Sequence, residues 1–71
     1  MESIVIRDDF IKLGQLLKLA NLVESGAMAK EVIEDGLVKY NGEVETHRGK
    51  KVYPGDIVEF NGESVTVTNE N

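Results

Sequence analysis

The residues best suited to chemistry in this sequence are basic side chains. Arg48, Lys50 and Lys51 lie close together in the segment HRGKK, and single lysines precede them. Cations on one face neutralise the phosphates of a nucleic acid and donate hydrogen bonds to their oxygens. The sequence therefore predicts a candidate anion-binding surface. Its first-choice cations are Lys12, Lys30, Arg48, Lys50 and Lys51, and its second choices are Lys18, Lys39 and Asn41.

The start of a predicted helix is a second feature that favours anions. Ser25 is a good N-cap residue, and Gly26 and Ala27 follow it without bulky side chains. The first N–H groups of a helix lack partners within the helix, and the helix dipole favours negative charge at this end. Ser25 and Gly26 are therefore added to the candidate surface.

A solvated charged face is the competing interpretation of the same residues, because charged loops are common on small domains. Lys30 lies four residues before Glu34, where an ion pair would contribute only about 0.2–0.5 kcal/mol. Tyr40 also has two interpretations. It could stack on a base, or it could pack at the edge of a sheet, which is the usual role of an aromatic residue in a strand.

Enzyme and metal chemistry find little support in the residues. His47 is the single histidine and cysteine is absent, so the usual zinc ligand sets cannot form. No motif assigns an acid–histidine pair to Ser25. The glycines do not form a phosphate-binding loop with its lysine. We therefore expect no catalytic residue, no metal and no cofactor.

Length and composition set broader limits. The chain has 71 residues and a net charge of −5, from 13 acidic and 8 basic residues. This length predicts a single domain over residues 1–71, with a core at about 10–67. A signal peptide and a long apolar run are lacking, and we expect a cytoplasmic location. A monomer is also expected. The acidic balance argues against nonspecific nucleic-acid binding, although local potential matters more than the total.

Hydrophobic spacing predicts two helices. Asp8 or Asp9 is expected to cap the first helix, whose apolar positions are Phe10, Leu13, Leu16, Leu17 and Ala20. Gly14 within it would permit close approach of another backbone. The second helix is expected from Ser25 to a glycine stop at Gly36, with an apolar stripe of Met28, Ala29, Val32 and Ile33.

Strands and tight turns account for the remaining residues. Strands are predicted at residues 4–6, 37–40 and 57–60, around Val44, and at Val65 and Val67. The pairs Asn41-Gly42 and Asn61-Gly62 indicate hairpins, Pro54-Gly55-Asp56 indicates a turn, and the tail TNEN is expected to fray. The result is an α+β fold with two short helices packed on a small, mostly antiparallel sheet.

These motifs, taken in order over residues 10–60, resemble the S-four RNA-binding domain, which is named after a small-subunit ribosomal protein. The matching pieces are Lys12-Leu13, Ser25 with Ala29, Ile33-x-x-Gly36-x-Val38-x-Tyr40-Asn41-Gly42, and Val52-x-x-Gly55-Asp56-x-Val58. The runs ESGAMAK and GEVETHRGKKVYPGD are similar to small stand-alone bacterial proteins of the YbcJ/YaaA type. The resemblance implies an αL-motif fold and non-catalytic binding of structured RNA, of the rRNA or tRNA class, in the bacterial cytoplasm.

Two positions depart from the family pattern. Gly14 stands where the family usually has aspartate, and Gly26 stands where it usually has an arginine on the RNA-facing surface. Lys30 and the basic segment at residues 48–51 would then supply the charge. A protein-interaction adaptor with the same fold is the alternative function, favoured by the acidic net charge. A β-grasp sulfur carrier fits the size but needs a C-terminal Gly-Gly, whereas this sequence ends in Asn-Glu-Asn.

Overall fold

The computed structural model describes residues 1–70. Within these residues, seven strands and two helices follow one another. In order they are β1 (Glu2–Ile6), β2 (Ile11–Lys12), α1 (Leu13–Leu19), α2 (Gly26–Glu34), β3 (Val38–Tyr40), β4 (Glu43–Val44), β5 (Lys51–Val52), β6 (Ile57–Phe60) and β7 (Glu63–Asn69).

Five strands form the main sheet, in the order β1-β7-β6-β3-β4. β1 and β7 pair in parallel, from Glu2 opposite Val65 to Ile6 opposite Asn69. The neighbours β7, β6, β3 and β4 pair antiparallel. This arrangement, with two helices beside it, confirms the predicted α+β fold on a mostly antiparallel sheet.

A separate two-stranded ribbon lies beside the main sheet. β2 and β5 pair antiparallel, with Ile11 opposite Val52 and Lys12 opposite Lys51. Val52 is fully buried, and Ile11 is partly buried against the core. Because side chains alternate between the two faces of a strand, the lysines point to the outer face of this ribbon.

The core lies between the helices and the main sheet. Its helical members are Leu13, Leu16 and Leu17 of α1 and Ala29, Val32 and Ile33 of α2. The sheet contributes Val38, Val58, Val65 and Val67, all essentially inaccessible to solvent. Burying one such valine or leucine side chain stabilises the fold by about 1.5–3 kcal/mol, so this packing fixes α1 and α2 relative to the sheet.

Both predicted hairpin turns are confirmed by backbone geometry. Asn41 and Gly42 have φ values of 49° and 86°, and Asn61 and Gly62 have φ values of 54° and 81°. A two-residue hairpin with positive φ at both central positions is the type I′ turn, which matches the right-handed twist of the flanking strands. The turns therefore set the register of β3 with β4 and of β6 with β7.

The prediction for the start of the first helix is wrong. Neither Asp8 nor Asp9 caps it, because the residues Ile11–Lys12 form strand β2 and the helix begins only at Leu13. The N-cap residue is Lys12, and it makes no side-chain cap hydrogen bond. Backbone carbonyls of a distant loop take that role, which local sequence signals do not reveal.

Two smaller predictions also fail. The expected frayed tail is ordered through Glu70, since β1 provides a parallel partner for β7 and the Glu70 N–H donates to the Ile6 carbonyl at 3.0 Å. Asn71 lies outside the described residues. Met28 was expected in the apolar stripe of α2, but it is 40% exposed.

Candidate nucleic-acid interface

An open groove of about 1020 Å³ lies where β1, β2, α1, the start of α2 and the loop at residues 48–49 converge. Its floor includes apolar side chains, among them Phe10 and Ile11. Val5 and Leu19 also line it, and they are 60% and 59% exposed. The groove thus combines an apolar floor with charged side chains from several elements.

The charge of the groove is opposite in sign to that of the whole chain. It is lined by Arg7, Lys12, Lys18 and Arg48, which are half of the basic residues. All 13 acidic residues lie in the described part of the chain, and of these Asp8 alone lines the groove. Local potential, rather than the net charge of −5, guides the approach of a charged ligand.

Backbone hydrogen bonds fix Arg48 beside α1. The Leu13 N–H donates to the Lys50 carbonyl at 2.9 Å, and the Gly14 N–H donates to the Arg48 carbonyl at 3.0 Å. These carbonyls satisfy N–H groups that a helix start leaves without partners. The predicted close approach of another backbone at Gly14 is therefore confirmed. A Cβ at this position would still lie 3.6 Å from Arg48 atoms, an ordinary contact distance.

The start of α2 forms another wall of the groove. Ser25 caps the helix as predicted, its Oγ accepting a hydrogen bond from the Met28 N–H at 3.1 Å. Gly26 lines the groove, and apart from its chain neighbours and the backbone of its own helix, no atom of the described residues lies within 4 Å of the position that its Cβ would occupy. The side chain that is missing at Gly26 therefore leaves open space directly at the groove.

The other predicted cations lie outside the groove. Lys51 lies on the ribbon with its Nζ 4.8 Å from the centre of the Phe10 ring. Lys50 places its Nζ 4.9 Å from the centre of the Tyr40 ring. Lys30 is exposed on α2, four residues after Gly26 and so on the same helix face.

Lys39 lies in β3 and Asn41 directly follows that strand, and in the sheet order β7 and β6 separate β3 from β1, which borders the groove. Lys39 lies in β3 directly opposite Glu59 of β6, a cross-strand pair of opposite charge. The Asn41 side chain accepts a hydrogen bond from the Ile57 N–H at 2.8 Å and donates to Asp56 at 3.2 Å. Asn41 is therefore engaged within the protein.

Asp56 organises the turn that Asn41 contacts. Its carboxylate accepts hydrogen bonds from the Tyr40 hydroxyl at 2.5 Å and the Tyr53 N–H at 2.8 Å. Burial raises the pKa of Asp56, but the hydrogen bonds from Tyr40, Tyr53 and Asn41 outweigh it and hold the pKa below its usual value. The same bond, together with burial, raises the pKa of Tyr40 to about 12.

Glu45 and His47 form a pair just before the basic segment at residues 48–51. The Glu45 carboxylate lies 2.9 Å from His47 Nδ1 and accepts the His47 backbone N–H at 3.2 Å. The hydrogen bond to the His47 side chain is the main reason that the pKa of Glu45 is lowered. The pair directly precedes Arg48 in the chain.

Sequence reasoning missed several groove residues. Arg7 follows β1 and was not included because no motif surrounds it, although its charge alone could have suggested it. It forms an exposed ion pair with Glu70 at 2.9 Å. Phe10 was predicted to belong to the apolar face of the first helix, and Leu19 was given no role. A helical pattern cannot reveal the short strand β2, which separates Phe10 from the helix.

Neither a metal-binding group nor a membrane-spanning helix is found in residues 1–70. No group of three or more histidine, cysteine, aspartate or glutamate side chains there could hold a metal ion. Within the same residues, no helix is long and apolar enough to cross a membrane. Both findings concern the described residues alone.

Comparisons with known proteins find relatives over most of the chain. The chain is 46% identical over 59 residues to the "Probable ribosome maturation protein RlbA" of Bacillus subtilis, covering 83% of each protein. It is 47% identical over 57 residues to YbcJ of Escherichia coli, covering 80% of this chain and 81% of YbcJ.

Structural likeness points the same way. The solution structure of YbcJ from E. coli, described as revealing an αL motif involved in RNA-binding, matches with a TM-score of 0.73 and 40% identity. The match covers 96% of this chain and 87% of that one. The model of the S4 domain family matches residues 4–68. The chain therefore belongs to the S4 domain family, the family that its helix, turn and strand motifs resemble.

Proposed function

We propose that this protein is a non-catalytic RNA-binding protein that recognises structured RNA through the basic groove. The observation that carries the proposal is the charge of that groove, which has four cationic side chains and one carboxylate in a chain of net charge −5. Phosphates are the natural ligands of such a surface. The description of YbcJ as having a motif involved in RNA-binding supports the proposal.

The RNA class is proposed from the relatives and from the resemblance. The name of RlbA refers to ribosome maturation, so ribosomal RNA or a maturing ribosomal particle is the first candidate and transfer RNA the second. The proposal includes a cytoplasmic location and a monomeric state, both of which remain predictions. The acidic residues outside the groove would repel RNA that approaches from other directions.

The number of free groove cations sets the expected salt dependence. Arg7 is already paired with Glu70, which leaves Lys12, Lys18 and Arg48 to meet phosphates. Since each neutralised phosphate contributes about −0.9 to the slope of log affinity against log salt, three contacts give a slope of about −2.7. A slope near zero for wild type would contradict a phosphate-binding groove.

Single substitutions test the location of the site. Lys12→Ala and Arg48→Ala each remove one groove cation, so each should weaken RNA binding about 8-fold at 0.1 M salt. Lys39→Ala is the matched control, because it removes the same charge from strand β3. Affinity is measured with total bacterial RNA and with ribosomal RNA fragments. Equal losses for all three variants would place the effect in net charge and refute the groove.

The alternative function is a protein-interaction adaptor. Leu37 and Val44 favour it, since they are 57% and 56% exposed and lie outside the groove. Purification after nuclease treatment separates the two functions. A protein partner that still co-purifies after nuclease treatment, and is lost when Leu37 or Val44 is substituted, would support the adaptor. Co-purification of RNA that is lost when Lys12 and Arg48 are substituted supports the proposal.

A further inference from the structure

The outer face of the β2–β5 ribbon carries two lysines side by side. Lys12 and Lys51 are directly opposite in the antiparallel register, and both are exposed. Like charges in this position destabilise a strand pair. In residues 1–70 neither lysine forms a salt bridge, so no carboxylate of that part of the chain neutralises the repulsion. An anion between them would relieve it.

Two aromatic rings continue the same face, one step beyond the paired residues. Phe10 and Tyr53 have ring centres 5.9 Å apart with planes tilted by 51°. Tyr53 is 46% exposed, while its backbone N–H is held by the Asp56 carboxylate. The Lys51 Nζ lies 4.8 Å from the Phe10 ring centre. The partly exposed Tyr53 ring therefore lies on the same face as Lys51, and the Asp56 carboxylate holds its backbone.

We propose that this ribbon face binds one unpaired nucleotide of the RNA, with its phosphate between Lys12 and Lys51 and its base stacked on Tyr53. The inference rests on the proposed function and names its substrate class as RNA with a bulged or otherwise unpaired base. A duplex offers phosphates but no free base face, so it would leave the aromatic rings without a partner. An unpaired nucleotide offers both chemistries at once.

Continuity with the groove favours RNA over a peptide as the occupant. Lys12 and Phe10 line the groove and also belong to the ribbon face. An RNA strand whose phosphates bind Lys18 and Arg48 in the groove would therefore place its next nucleotide at the ribbon. An acidic peptide could satisfy the lysines, but it would not need an exposed aromatic ring.

The test compares one RNA hairpin, whose paired strands are joined by a polyethylene glycol linker in place of a nucleotide loop, with the same hairpin that carries a single bulged 2-aminopurine. The plain hairpin then has no unpaired base. We expect wild type to bind the bulged hairpin more tightly and to quench the fluorescence of its 2-aminopurine by stacking. Tyr53→Ala should weaken binding of the bulged hairpin roughly 5–150-fold and abolish the quenching, with little effect on the plain hairpin. Tyr53→Phe keeps the ring and should retain both properties.

Two further variants separate stacking from loss of structure. Lys51→Gln should reduce affinity for the bulged hairpin and make its salt slope shallower by about 0.7–0.9, while the plain hairpin is unaffected. Val44→Ala is the control for loss of an exposed apolar side chain, and circular dichroism checks that each variant is folded. The site can therefore be tested with Lys51→Gln even if Tyr53→Ala fails to fold.

The outcomes distinguish this inference from the proposed function. Equal affinity of wild type for both hairpins, or unchanged quenching in Tyr53→Ala, overturns the nucleotide site and leaves groove binding intact. Failure of wild type to bind either hairpin at low salt overturns the proposed function, and the inference falls with it. Loss of discrimination only in Tyr53→Ala and Lys51→Gln supports the site.

Discussion

Gly26 offers a gain-of-function test of the groove. The position lines the groove, and no side chain of the described residues outside its immediate chain neighbours lies within 4 Å of the position that its Cβ would occupy. Its φ lies outside the left-handed region, so a side chain is compatible with the backbone. Gly26→Arg restores the residue that the related motif usually has there. It should increase RNA affinity by adding a cation to Lys12, Lys18 and Arg48, which form no salt bridge within residues 1–70.

The size of the gain follows from counterion release. One additional phosphate contact makes the salt slope steeper by about 0.9. If the contact contributes nothing at 1 M salt, the affinity gain is about 8-fold at 0.1 M and about 2-fold at 0.5 M. The added cation lies at the N-terminal end of α2, where the dipole disfavours it by about 0.3–1 kcal/mol. Bound phosphate would offset that cost, while the free protein would be slightly less stable.

The assay is a filter-binding or fluorescence titration with one structured RNA at several salt concentrations. Gly26→Ala controls for the change in helix propensity and should leave the salt slope unchanged. Val44→Arg is the matched charge control, because it adds the same charge at strand β4, the opposite edge of the sheet from β1. If Val44→Arg and Gly26→Arg raise the affinity equally, net charge rather than the groove controls binding, and the reasoning is refuted.

Three further predictions concern stability and are measured by chemical or thermal unfolding. Gly14→Ala should stabilise the protein by up to about 1 kcal/mol through helix propensity, because the new methyl meets its neighbours at 3.6 Å or more; a loss of stability would show that Arg48 must approach more closely. Tyr40→Phe should cost about 1.5–3 kcal/mol, since it removes a hydrogen bond to the ionised Asp56; an unchanged midpoint would exclude that bond as stabilising. The lowered pKa of Asp56 favours folding above its unfolded pKa of about 3.9, and this contribution disappears as pH falls through the folded pKa. The pKa of Tyr40, raised to about 12, favours folding below about pH 10, and this contribution disappears as pH rises towards 12. Tyr40→Phe should remove the alkaline dependence and Asp56→Asn the acidic one, and retention of either dependence would assign it to other groups.

Local signals predicted much of the fold. The Ser25 cap and the two Asn-Gly hairpins depend on short-range backbone chemistry, and the structure confirms them. The start of α1 could not be predicted in this way. Its N–H groups bond to the carbonyls of Arg48 and Lys50, more than thirty residues later in the chain, and no nearby residue type indicates such a partner.

The positions of the basic side chains were predictable only in part. The sequence indicated Lys12 and Arg48, and the groove brings them together. It did not indicate that Arg7 lines the groove or that Tyr53 contacts Phe10. These placements depend on the parallel pairing of β1 with β7 and on the ribbon of β2 with β5. Pairings between distant segments leave little trace in local periodicity.

The short strand β2 links the charge of the surface to its shape. It belongs to the ribbon through its pairing with β5, and Lys12 at its end is also the N-cap residue of α1. The loop that leads from β4 into β5 supplies the carbonyls that cap α1 and the Arg48 side chain that lines the groove. The backbone contacts that stabilise the helix start are therefore the ones that hold Lys12 and Arg48 together. A change that weakens this cap should reduce RNA binding even when every cation is retained. Lys12 and Arg48 would keep their charge but would no longer be held side by side in the groove.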